Sequence, residues 1–196
     1  MRFIVNLSVI FFSAILTVQA KAEGISSLKA AEVACHRIER LVVLKKIDKG
    51  FVSKFQKMDL ELLTAGDPTG AKFAVTSFQN APADGSPLSV TLFVEGSGKV
   101  LNYLVNQGGT AGPNVEWTGK DPVSLVESAM HFVLDEHESN HQLHPFAMDF
   151  ESLTIEKKTQ GGKALAELLM RAKTTTNKLV LTLDLNGKIL KNEIVP

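Results

Sequence analysis

Met58-Asp59-Leu60-Glu61-Leu62-Leu63-Thr64 returns about 90 residues later as Met148-Asp149-Phe150-Glu151-Ser152-Leu153-Thr154. Val90-Thr91-Leu92-Phe93-Val94, followed by Gly98-Lys99-Val100-Leu101, returns as Leu179-Val180-Leu181-Thr182-Leu183, followed by Gly187-Lys188-Ile189-Leu190. Order and spacing are kept. A long fixed period means one supersecondary unit used twice. Matching the blocks makes Leu60 equivalent to Phe150 and Gly98 equivalent to Gly187.

Each half opens with a helix. Ala31, Ala34, Cys35, Ile38, Leu41 and Val42 form one apolar stripe at helical period, with Ser26 or Ser27 as cap and Asp48-Lys49-Gly50 as stop. In the second half Asp121 caps, Pro122 takes the first helical position, and Val126, Ala129, Met130, Val133 and Leu134 form the stripe.

Strands follow. The first half offers residues 55–64, 72–79, 88–95 and 99–106, and Leu88, Val90, Leu92 and Val94 alternate with polar or outward neighbours. The second offers 147–157, 178–185 and 188–195, with Asn186-Gly187 as a hairpin signal. Residues 162–173 pull two ways. Lys163 to Ala172 are strong helix formers, yet Ala164, Ala166, Leu168 and Met170 also alternate, and Lys163 aligns with Lys72. The repeat favours a strand, since tertiary context overrides propensity.

The expected fold class is therefore α+β, a tandem duplication of a helix plus four-stranded antiparallel sheet module. The two sheets either stand side by side or join into one curved sheet with both helices on one face. The chain divides into a signal peptide at 1–22, a first repeat at 23–107, a Gly-rich linker at 108–120 and a second repeat at 121–196.

The signal reading rests on Arg2, a mostly apolar run over 3–18, and small residues at Ala20 and Ala22. The run is shorter than the roughly 20 residues a spanning helix needs. Cleavage implies a periplasmic or secreted protein with no membrane insertion afterwards. Cys35 is the single cysteine, so no disulfide framework exists. Without Arg2 and Lys21 the 21 basic residues fall to 19, against 21 acidic ones. No basic stripe is present, which excludes nucleic acid as the expected partner.

The closing hairpins, Val90 to Val105 and Leu179 to Val195 with their Gly-Lys-aliphatic turns, resemble the final strands of PepSY domains. The duplicated helix-on-sheet module resembles the beta-lactamase inhibitor protein architecture, without that family's disulfide in each half. The resemblance implies binding or inhibition of another envelope or secreted protein or peptide, with no catalysis; no cofactor is expected apart from the metal alternative below.

Candidate chemistry concentrates in Asp135 to His144. His137-Glu138-Ser139-Asn140-His141 matches His-Glu-x-x-His, in which two imidazoles four apart on a helix hold zinc and the Glu acts as base. Ser139-Asn140 is a poor helix interior and Pro145 follows closely, so a zinc peptidase is not the expected outcome. The alternatives are a solvated helix end, or a non-catalytic divalent transition-metal site at His137, His141 and His144. A small-ligand cavity between sheet and helix belongs to the same alternative. Cys35 falls on the apolar stripe and reads as a buried, inert thiol. His36, with Glu32 at i−4 and Glu39 at i+3, reads as an exposed charged face. The carboxylates of Met58-Asp59-x-Glu61 and Met148-Asp149-x-Glu151 read as an outer sheet face opposite Met58, Leu60 and Leu62. Trp117, the only tryptophan, sits in the linker as either a partner-binding anchor or a plug between the halves.

Overall fold

The structure, a computed structural model, describes residues 24–80, 88–106 and 115–196. The signal peptide with Glu23, residues 81–87 of the 80–87 turn, and residues 107–114, which include the first part of the linker, lie outside the described residues.

Helix α1 spans Ser27–Val43 and a short helix α2 spans Gly50–Ser53. Strands β1 (Phe55–Leu62), β2 (Phe73–Gln79), β3 (Ser89–Val94) and β4 (Val100–Asn106) complete the first module. Helix α3 (Pro122–Glu136) and short helix α4 (His144–Met148) open the second, followed by β5 (Phe150–Gln160), β6 (Lys163–Ala172), β7 (Lys178–Asp184) and β8 (Ile189–Val195). All eight strands join one antiparallel sheet in the order β4-β3-β2-β1-β5-β6-β7-β8. The modules meet where β1 pairs with β5, through Lys57↔Thr154, Met58↔Leu153 and Asp59↔Ser152. Of the two arrangements the sequence leaves open, the single sheet is the one formed.

Local chemistry explains the ends of the long helices. Ser26 accepts a hydrogen bond from the Lys29 amide at 3.3 Å. Asp121 accepts one from the Ser124 amide at 3.0 Å, with Pro122 at the first helical position. The apolar stripes of both helices and the inward residues of the strands form one core. Leu28, Ile38, Phe51, Phe55, Met58, Phe146, Phe150 and Leu153 lie within it. No helix among the described residues is long and apolar enough to cross a membrane.

Residues 163–172 are strand, as the repeat requires. β6 pairs with β5 along ten register partners and with β7 on its other side. Ala166, Leu168, Met170 and Ala172 fill the core. A helix there would leave the backbone edges of β5 and β7 unpaired, a cost that outweighs propensity.

The register of the repeat differs from the one its most similar block suggests. The expected strand at Ala147 starts at Phe150, because His144–Met148 form α4, the counterpart of α2. Phe51 and Phe146, Phe55 and Phe150, Met58 and Leu153, and Leu60 and Ile155 occupy matching buried places, each pair 95 positions apart. Register shifts at Phe55/Lys57 and Phe150/Ser152 coincide under the same offset. Leu60 is thus equivalent to Ile155, and the Met-Asp blocks are out of phase. Met58 is fully buried in β1, whereas Met148 is 42% exposed at the end of α4. Leu62, expected to face the core, is also exposed. Gly98 and Gly187 do correspond. They turn the β3–β4 and β7–β8 hairpins at φ 89° and 88°, where glycine is favoured. The offset falls because the connections before and after β2 are longer than those around β6.

Candidate metal centre

The 95-position offset continues into the long helices. Glu32-Val33-Ala34-Cys35-His36 on α1 is equivalent to Glu127-Ser128-Ala129-Met130-His131 on α3. Within each helix the Glu and His are four apart and share a face. Ala34, Cys35, Ala129 and Met130 point into the core. The Glu and His project between the helices.

The pairs cross. His36 Nδ1 lies 2.9 Å from Glu127 Oε1. His131 Nδ1 lies 3.1 Å from Glu32 Oε1. Each helix thus presents its Glu to the other helix's His, which requires α1 and α3 to run antiparallel at this point. Lys29, one turn before Glu32, forms an ion pair with Glu32 Oε2. Glu39 flanks the cluster, with its carboxylate 4.0 Å from His36 Nδ1.

Exposure falls steeply across the group. Both imidazoles are 54% exposed, the Glu127 side chain 15% and the Glu32 side chain 1%. Both oxygens of Glu32 and Oε1 of Glu127 are buried, and their partners are the ion pairs to Lys29, His131 and His36. A buried carboxylate without hydrogen bonds is costly unless cations compensate it. Burial, with repulsion from Glu39 next, pushes the Glu127 carboxyl up to about 7, and His131 opposes the rise. The Glu39 carboxyl is raised too, by burial and then by Asp121. The thiol of Cys35 is held well above its usual range by burial first and then by Glu127, Glu39 and Glu32. It is a buried free thiol, as its place on the stripe predicts.

Two sets of three ligand atoms converge to within 4.8 Å among the described residues. They are Glu32, His36 and His131, and His36, Glu39 and Glu127. Imidazole nitrogen with carboxylate oxygen suits zinc, copper or nickel, and less so the all-oxygen cations.

His36 is exposed, as its own helix predicts, and its imidazole also pairs across to Glu127 on α3. It is His131 of α3 that meets the buried Glu32 carboxylate. His137, His141 and His144 fare differently. Helix α3 ends at Glu136, so the His-Glu-x-x-His run lies on the turn beyond it and not on one helical face. His137 Nδ1 sits 2.8 Å from the Leu134 carbonyl, and its ring stacks on His144 with centroids 5.7 Å apart. Neither converging set contains His137, His141 or His144. Trp117 is partly buried and packs against the core, on a groove of about 430 Å³ with Lys54 and Pro122. A groove of about 230 Å³ opens beside the start of α1, lined by Leu60, Phe73 and Phe150.

The crossed pairs were detectable in sequence as two Glu-x-x-x-His spacings, but only under the offset of 95. The block match at 90 conceals them.

No family model matches the chain. No curated protein matches it. Among solved structures it is similar to one from Clostridium difficile described as a "putative lipoprotein", at 13% identity and a TM-score of 0.32, covering 81% of this chain and 92% of that one.

Proposed function

We propose that the protein is an exported, non-enzymatic binder of a divalent transition-metal ion, held between α1 and α3 by Glu32, His36 and His131. The observation that carries it is the fully buried Glu32 carboxylate, ion-paired to Lys29 and His131, with ligand atoms of Glu32, His36 and His131 all within 4.8 Å of one another. Natural interiors pair or bond such a group. Here the partners are the His131 imidazole and the Lys29 ammonium, both half exposed at the surface end of the cluster. Export to the periplasm or beyond follows from the N-terminal sequence.

Equilibrium dialysis of purified mature protein against zinc, copper and nickel, followed by metal analysis, tests this directly. One ion per chain is expected, lost in His36→Ala and in His131→Ala. Wild-type protein that retains no stoichiometric ion would overturn the proposal.

A further inference from the structure

We infer that the groove beside the start of α1 binds a small aromatic carboxylate, its ring resting on Leu60, Phe73 and Phe150 and its charged head met by Lys72 and Lys173.

The repeat singles this groove out. A groove opens at the start of each long helix, and the two are equivalent under the offset of 95. Gly24, Ser27 and Met148 line the first, and Gly119, Pro122 and Ser53 line the second. The backbone confirms the match. The Ile25 amide donates to the Gly96 carbonyl and the Lys120 amide to the Leu185 carbonyl, both at 2.9 Å.

The places are equivalent, but their contents differ. In the second module the segment leading into α3 carries Trp117, which packs on the core beside its groove. Lys157 Nζ donates to the Glu116 carbonyl at 2.6 Å and pins that segment. In the first module the offset puts Ala22 at the position of Trp117, at the end of the expected signal peptide. Whether or not processing keeps Ala22, the first groove receives no indole from the chain that enters it. Leu62 stands in the place of Lys157 and is exposed.

The walls define the guest. Phe73 and Phe150 are buried, while Leu62 and Met148 are exposed apolar rims. The volume of about 230 Å³ is below the roughly 300–1,000 Å³ of drug-sized sites, so one ring system with a short chain suits it. Charge selects the other end of the ligand. Lys72 and Lys173 line the groove, and among the described residues neither is ion-paired. The Lys72 ammonium lies over the Phe73 ring, 5.0 Å from its centroid. Asp149 also lines the groove, but its Oδ2 accepts a hydrogen bond from the Thr174 hydroxyl at 3.0 Å. Two cations against one engaged carboxylate favour an anionic head.

Indole-3-propionate, the ring of tryptophan on a carboxylate, is the probe. Calorimetric titration of the mature protein in the presence of a chelator makes the result independent of metal binding. One saturable site per chain is expected. Tryptamine, the same ring on an ammonium, should bind at least tenfold more weakly. Lys72→Gln combined with Lys173→Gln, both at exposed positions, should erase that preference while the far-UV spectrum stays that of wild type. In nuclear magnetic resonance the Met148 methyl signal should shift on titration and the Trp117 ring signals should not. Equal affinity for the two ligands, or a preference that survives the double variant, overturns the inference. Shifts confined to Trp117 would place the ligand in the second groove, and an absence of saturable binding would reject the site; either result overturns it as well.

Discussion

Met58 of β1 and Leu153 of β5 are register partners across the seam and also hold the same place in their two halves. The neighbouring partners obey the rule as well. Lys57 pairs with Thr154 and Asp59 with Ser152, and each pair exchanges into the other under the offset of 95. The two-fold relation between the modules therefore passes through the Met58–Leu153 contact, and the crossed Glu–His pairs of α1 and α3 obey the same exchange. Sheet register and the placement of the crossed Glu–His pairs follow one symmetry.

Glu32→Met should stabilise the metal-free protein by about 1 kcal/mol while removing the ion, because replacing a buried charge by an apolar chain of similar volume is neutral or favourable. His131 and Lys29 are half exposed, so water can solvate them once Glu32 is gone. Urea unfolding in the presence of a chelator measures the change. A loss above about 2 kcal/mol would contradict it.

Glu127 predicts a pH dependence with a definite sign. Its carboxyl is raised from 4.5 to about 7 in the folded chain, chiefly by burial. Between those values the folded state binds more protons than the unfolded one, so stability falls as pH rises and the penalty is complete above about 7. Metal-free protein should therefore melt at a higher temperature at pH 5.5 than at pH 7.5 as far as this group is concerned, and Glu127→Gln should reduce the difference. Melting curves of the two proteins at both pH values decide it.

Trp117→Ala should lower stability by about 2 kcal/mol, since the ring is packed against the core although not fully enclosed. Chemical denaturation is the measure. A change within about 0.5 kcal/mol would mark the ring as a surface group and return it to the role of partner anchor.

Phe51→Ala and Phe146→Ala should each cost about 3–5 kcal/mol, because both rings are buried and fill equivalent places beneath α1 and α3. Met148→Ala should cost far less, since that side chain is 42% exposed. The contrast is a stability test of the 95-position register against the 90-position one.

Cys35 should resist thiol reagents in the folded state and react on unfolding. Burial and three nearby carboxylates both oppose its thiolate. Labelling as rapid as that of an exposed thiol in native protein would refute this.

Much of the fold was legible because it depends on patterns the chain carries locally. Asp121-Pro122 marks a helix start, Asn186-Gly187 marks a turn, and Leu179, Leu181 and Leu183 alternate, so helix, hairpin and strand follow. Lys163 to Ala172 went against propensity and was legible only through the repeat. The site was less legible for the same reason in reverse. Met58-Asp59 and Met148-Asp149 share letters but not burial, and burial is what defines equivalence in a folded module. His36 looks solvent-facing from its own helix, because nothing local to α1 indicates that α3 covers Glu32. The histidines of 137–144 attract notice through density alone; the turn beyond α3 stacks His137 on His144, but the three do not converge as a ligand set. Crossed pairing is a property of two helices together, so one helix read singly cannot reveal it.

Each half of the chain carries one glutamate and one histidine of the crossed pairs, so a half by itself holds one member of each pair. Two separate copies of such a half, meeting through an isologous contact of the β1–β5 kind, would rebuild the same arrangement, but only above the concentration at which they associate. Covalent continuity between the halves replaces that bimolecular step with an intramolecular one at a high effective concentration. In the proposed metal centre, occupancy would then depend on the ion alone and not on the abundance of the protein.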